Sequence, residues 1–263
     1  MQENNKISID QLRFYLPYID SNEYYSNAEV LRAAEEIFDF SAYFEIIAKS
    51  KGQNGYSESY NFGSEQRRYV SLMWNPERKD MGISIDFTAI GKATYEELVE
   101  FNTGFKVNWQ QIIRQVYQKY QGHISRIDIA TDLINYQFSV DEIARRITKQ
   151  ELMFLNKQGN KIPVKRLKFI SNGEKTETIY VGARTSDCFL RIYDKKIEQD
   201  RSDGRYRSLA RSCHDWLRFE GEFKGKLAHK IGNLISNWDK QDIYPGLLGI
   251  VLERWSLVEY KEN

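Results

Sequence analysis

At 263 residues, with 41% hydrophobic residues and only 4 prolines, the chain can bury a sizeable core as one large domain or two joined halves, which argues against a disordered polypeptide. Lys and Arg number 38 against 37 Asp and Glu, a net charge of +1, so any nucleic-acid footprint has to come from a local patch rather than bulk charge. Cys188 and Cys213 lack metal-type spacing, and no targeting or membrane-spanning run is evident, so two free thiols in a reducing cytoplasm are expected.

In chain order, Lys6–Tyr18 reads as an opening strand and Ala28–Phe38 as an amphipathic helix capped by Ser26 or Asn27. Tyr43–Ile47 is a short strand, and Lys51–Ser57, rich in Gly, Ser and Asn, is a loop. Tyr60–Trp74 and Met81–Ala89 read as paired strands joined by Asn75–Asp80. Helices follow at Thr94–Phe101 and Trp109–Tyr120, then a strand centred on Asp128. Val140–Lys149 is a helix with Ser139 as its cap and Glu142 at the capping-box position. Val164–Ile170, Thr176–Val181 and a strand carrying Tyr193 come next. After the loop Asp200–Arg205 and a short helix lie the Glu220 strand, a helix over Leu227–Trp238 and a last helix over Tyr244–Ser256. The pattern implies an α+β fold: a largely antiparallel central sheet, helices on one side, and a nucleic-acid groove across the open face. Two strand-helix-strand blocks meet near Asn135 and suggest two similar halves, without a residue-level repeat.

Three strands carry candidate chemistry. In the first, Arg191, Tyr193 and Lys195 alternate onto one face, with Leu190 and Ile192 opposite. Cations beside a phenol favour its ionised form and attract a phosphate, the surroundings a tyrosine needs to attack a phosphodiester. In the second, Arg126, Asp128, Ala130 and Asp132 share a face. In the third, Arg218, Glu220 and Glu222 do so, opposite Leu217, Phe219 and Phe223. Like charges two residues apart repel unless a cation neutralises them, and carboxylates from two strands suit a hard divalent ion such as Mg2+ or Mn2+. An ordinary amphipathic strand with its charged face in water remains open for each. From Arg184 to Arg211 there are eight Lys or Arg against five Asp or Glu, a local positive excess. The 3 histidines form no His-x-His pair, and neither Gly52–Gly55 nor Gly221–Gly225 ends in the Gly-Lys-Ser/Thr of a phosphate loop. His214, near Asp215 and Glu220, could serve as a base or ligand, or simply sit at the surface.

The succession Arg126-Ile-Asp-(x)3-Asp, Thr178-Ile-Tyr-Val-Gly-Ala-Arg-(x)2-Asp, Phe189-Leu-Arg-Ile-Tyr-Asp-Lys-Lys-x-Glu and Trp216-x-Arg-x-Glu-x-Glu resembles the Rep_trans family. These are rolling-circle replication initiators of Gram-positive plasmids and related conjugative relaxases, and the resemblance runs from about Met81 to Trp238. It implies a site-specific DNA nickase whose nucleophile is Tyr193, forming a 5′-phosphotyrosine and a free 3′-hydroxyl, with Arg191 and Lys195 assisting. Asp128 and Glu220 are then expected to bind Mg2+ or Mn2+, with Asp132 and Glu222 as further or supporting ligands. Arg184, Lys196, Arg126 and Arg218 are expected to contact DNA. A relaxase nicking an origin of transfer is the neighbouring reading, and a non-catalytic DNA-binding module the competing one. A homodimer and a host helicase are the partners implied, beside an origin with a single-stranded nick site. Family members generally continue well past the Trp216 strand, whereas this chain stops about forty residues later, so a trimmed catalytic core or a short member is expected.

Overall fold

The computed structural model describes residues 5–17, 27–201, 203–239 and 242–260. The chain folds into two compact units, each assembled from discontinuous segments. One comprises residues 10–127 and 224–241; the other comprises 1–9, 128–223 and 242–263. The architecture is α+β, and most neighbouring strands pair antiparallel.

The first unit has the strand order β2-β3-β4-β5-β1-β6, with β1 Asn5–Leu16, β2 Glu45–Ser50, β3 Glu58–Ser64, β4 Arg67–Trp74, β5 Ile83–Phe87 and β6 His123–Ile134. Alternation in β1 buries Leu12, Phe14 and Leu16, which pair with Phe87, Ile85 and Ile83. Helices α1 (Asn27–Phe38), α2 (Phe40–Tyr43), α3 (Ala89–Thr103) and α4 (Trp109–Gln118) belong to this unit, and their aromatic residues build its core. Phe38 and Phe40 stack at 5.0 Å, Phe87 meets Phe38 edge-on at 5.2 Å, and Trp109 meets Phe87 at 5.7 Å. Thr88 caps α3 by accepting the Gly91 N–H at 2.9 Å. A Cβ at Gly91 would lie 2.0 Å from the Tyr69 carbonyl oxygen, so only glycine lets α3 press this closely onto β4.

The second unit has the order β1-β6-β11-β10-β9-β8, where β1 and β6 contribute residues to both units. Its strands are β8 Leu167–Asn172, β9 Lys175–Val181, β10 Cys188–Asp194 and β11 Trp216–Lys224, and a separate pair joins β7 (Leu152–Leu155) to β12 (Ser256–Glu259). Helix α5 (Val140–Thr148) starts at Ser139, whose hydroxyl accepts the Glu142 N–H at 3.1 Å, as its sequence anticipates. Asp141 then accepts the Thr176 N–H at 2.8 Å and ties α5 to β9. Short helices α6 (Lys195–Gln199) and α7 (Arg207–Ser212) connect β10 to β11; α8 (Gly225–Asn237) belongs to the first unit and α9 (Tyr244–Arg254) to the second.

Several expected boundaries move for identifiable reasons. Tyr60–Trp74 is a hairpin rather than one strand, because the polar Ser64-Glu65-Gln66-Arg67 turn reverses the chain and Ser64 pairs with Arg67. Strand β2 begins two residues after the expected Tyr43, which ends α2 instead. Asp194 stops β10 by accepting the Ile197 N–H at 3.0 Å, so α6 follows immediately where a longer strand was expected. The four-residue strands β7 and β12 are too short to show a period and form by pairing with each other. Ser26, one of the two caps expected for α1, lies outside the described residues.

Candidate active site

Tyr193 occupies a central strand, opposite Arg218 on β11 and Thr178 on β9. Its side chain is 5% exposed, and its hydroxyl donates to Glu220 Oε2 at 3.1 Å. Glu220 is the cross-strand neighbour of Arg191, which places one guanidinium nitrogen, Nη2, 2.9 and 3.0 Å from the two carboxylate oxygens. The same guanidinium lies over the Tyr193 ring at 4.1 Å. Lys195, the first residue of α6, is buried; its ammonium donates toward the Tyr193 hydroxyl at 3.4 Å and pairs with Glu198. Residues expected on one face from alternation therefore do converge: Arg191, Tyr193, Lys195 and Glu220 form one connected group.

Its electrostatics differ from the expectation. Burial raises the Tyr193 pKa, the Glu220 charge raises it further, and Arg218 and Arg191 offset only part of this, with Glu198 also raising it. The flanking arginines lower the phenol's pKa, but by less than burial and the Glu220 charge raise it. The resting tyrosine is neutral, and a carboxylate stands where its proton would go. Below pH 10.0, the ordinary value, Tyr193 is neutral both folded and unfolded. As the pH climbs above that value the unfolded phenol ionises first, so stability falls. Denaturant melts at about pH 9 and pH 11 should show this alkaline loss, with the share due to this residue absent in Tyr193→Phe.

The second acidic strand is used differently from the expectation. Asp132 Oδ1 accepts from Arg218 Nε at 2.7 Å and from Trp216 Nε1 at 2.8 Å, while its Oδ2 accepts from Arg218 Nη2 at 2.7 Å. Both members of this pair are buried, Asp132 at 3% exposure and Arg218 at 5%. Asp132 is thus spent on a fork-to-fork pair rather than on a metal, and Arg218 is spent inside the sheet rather than on DNA. Asp132→Ala should cost about 3–5 kcal/mol by removing the carboxylate that forks onto the buried Arg218 charge. Urea unfolding checks this, and a shift under about 1 kcal/mol would show the pair to be dispensable.

The four expected metal ligands do not fit an ion as a set. Asp132 is occupied by Arg218 and Trp216, and Glu220 by Arg191 and Tyr193. Asp128 and Glu222 are buried, but among the described residues no three His, Cys, Asp or Glu side chains gather to hold an ion. Lys196 also departs from its expected role: its ammonium donates to the carbonyls of Cys213 at 2.5 Å and His214 at 3.2 Å, because the strand ends before it. Arg184 is exposed, with its guanidinium 5.5 Å from the Tyr180 ring. Arg126 is half-buried and belongs to the other unit. Two partners escaped the sequence reading: Glu198, which engages Lys195, and Trp216, which holds Asp132. Trp216 had a signal, since it shares strand parity with Arg218.

A family model described as Replication initiation factor, Rep_trans, matches residues 122–261, more than half of the chain. The chain belongs to this family. It is 25% identical over 201 residues to the protein named "Putative DNA relaxase NicK" of Bacillus subtilis (strain 168), a match covering 76% of this chain and 53% of the relative. The chain therefore spans about half the length of that curated relative. A rolling circle replication initiator protein from Geobacillus stearothermophilus shares the fold at a TM-score of 0.72 and 20% identity, over 98% of this chain and 88% of that one. The family match contains every element of the Tyr193 group. No helix among the described residues is long and apolar enough to cross a membrane.

Proposed function

We propose that this chain nicks one strand of DNA by transesterification at Tyr193 and thereby starts rolling-circle replication. The observation that carries the reading is the hydrogen bond from the Tyr193 hydroxyl to Glu220 within a family of replication initiation factors. Tyr193 Oη attacks phosphorus as its proton passes to Glu220 Oε2, a positioned general base. The P–O3′ bond breaks, the 5′ phosphate stays on the tyrosine, and the departing O3′ takes a proton from water to become a hydroxyl that can prime synthesis. Arg191 holds the carboxylate in line and, from its place over the ring, offsets charge on the phosphate. Lys195 places a second cation beside the attacking oxygen. Among the described residues no three carboxylates gather to hold the expected Mg2+ or Mn2+, and the steps above are those this chain's own side chains can perform.

A relaxase acting at an origin of transfer would use the same chemistry, and the likeness to the Bacillus subtilis protein favours that variant. The two differ in the DNA they cut. A host helicase and a homodimer belong to either reading as proposals. The test is cleavage of plasmids carrying candidate origins, with chelator and with Mg2+ or Mn2+. The expected product is a nick whose 3′ end a polymerase extends and whose 5′ end resists labelling because protein blocks it. Reversible binding without a nick at any origin would instead favour a DNA-binding module.

A further inference from the structure

Away from the Tyr193 group, α7 repeats a dipeptide, Arg207-Ser208 and Arg211-Ser212, four residues apart. That spacing stacks like side chains one helical turn apart, about 5.4 Å. The four side chains line one open concavity. Ala210 is fully buried and clusters with Cys213 and Trp216, so α7 has an apolar anchor and a separate face of paired guanidinium and hydroxyl groups.

The face is built for an anion. Arg207 lines the concavity, and its Nε meets no hydrogen-bond acceptor among the described residues, so its guanidinium is not fully spent inside the protein. Arg211 is held by Asp200 at 3.0 Å, but the two side chains are 60% and 49% exposed. A surface pair of this kind contributes little and exchanges readily for a phosphate. The Ser212 hydroxyl donates to the Leu209 carbonyl at 3.0 Å, so the two guanidiniums, with the Ser208 hydroxyl beside Arg207, offer the bonds to two phosphates in succession. The face is also fastened to the candidate nucleophile: Lys196, three residues past Tyr193, grips the carbonyls of Cys213 and His214 directly after α7.

We propose that the Arg207, Ser208, Arg211 and Ser212 face binds two successive phosphates of the DNA strand that Tyr193 cuts, on the single-stranded side of the nick. The inference rests on the Tyr193 reading for the identity of that strand. Its contacts position the backbone and read no sequence.

The test measures binding of a fluorescent single-stranded origin oligonucleotide across salt concentrations, in a Tyr193→Phe background so that binding stays reversible. Arg211→Ala and the double variant Arg207→Ala/Arg211→Ala are compared, and adduct yield is followed separately in chains that keep Tyr193. Each lost phosphate contact on a single strand lowers the log–log salt slope by about 0.7, so the double variant should lose about 1.4 and Arg211→Ala half of that. Arg211 is largely exposed, so its variant reports even if the double variant unfolds, and Arg207→Lys/Arg211→Lys should restore the slope. An unchanged slope and affinity in Arg211→Ala and in a folded double variant would overturn the proposal, as would a change confined to duplex DNA. A slope that falls while no chain forms an adduct supports the phosphate site and counts against the Tyr193 reading instead.

Discussion

Tyr193→Phe is expected to abolish covalent attachment to DNA while leaving DNA affinity within a few-fold of the parent chain. The substitution removes only the oxygen; the ring keeps its place between β9 and β11, under the Arg191 guanidinium. Glu220 retains both contacts to Arg191, so the loss to folding is one hydrogen bond, about 1 kcal/mol. The control is Tyr180→Phe, because Tyr180 is the cross-strand neighbour of Arg191 on β9 and also lies near Arg184. Unlike Tyr193, it makes no hydrogen bond to a carboxylate among the described residues. Gel-shift binding and denaturing-gel adduct assays on the two variants settle the assignment. An adduct that survives in Tyr193→Phe and vanishes in Tyr180→Phe would move the nucleophile to β9.

Glu220→Gln is the second large effect. Glutamine preserves length and can still accept the phenol's hydrogen bond, but it cannot take the proton. With Tyr193 buried and its pKa raised, the attack has no ready phenolate to draw on. The rate of adduct formation should therefore fall by about 10²–10⁴-fold, the usual worth of a general base. Arg191 loses its charged partner in the same variant, so folded fraction is measured by thermal melting and rates are normalised to it. Glu222→Gln, two residues along the same strand, is the matched comparison and should cost far less. Equal losses in the two variants would mean that Glu220 has no special part in the proton transfer.

The sequence made the site's membership more legible than its electrostatics. Period-two alternation brought Arg191, Tyr193 and Glu220 into register because β10 and β11 are regular, buried and free of bulges between Cys188 and Asp194. The same alternation could not show how charges pair across strands. It set Asp128, Asp132, Glu220 and Glu222 together as repelling carboxylates, whereas Arg218 and Trp216 reach across to occupy Asp132 and Arg191 reaches across to Glu220. Hence burial first, and then the Glu220 carboxylate, raise the tyrosine's pKa by more than its cations lower it. Lys196 was unreadable for another reason: one hydrogen bond at Asp194 ends the strand and turns the next residues into a helix. The aromatic core around Phe38, Phe40 and Phe87 was foreshadowed only by the 14% aromatic content, since rings distant in sequence meet through topology. Short partners such as β7 and β12 are made by tertiary pairing and leave no periodic trace.

The central claim is that Tyr193 becomes covalently joined to DNA, and peptide mapping by mass spectrometry tests it most directly. The chain is incubated with a single-stranded oligonucleotide spanning its origin, in Mg2+ or Mn2+ and in chelator, then digested with nuclease and protease. The account predicts a nucleotide 5′-phosphate on the peptide that carries Tyr193, absent from the Tyr193→Phe digest. An adduct mapped to any other residue, or reversible binding with no adduct at an origin the chain demonstrably recognises, would contradict it.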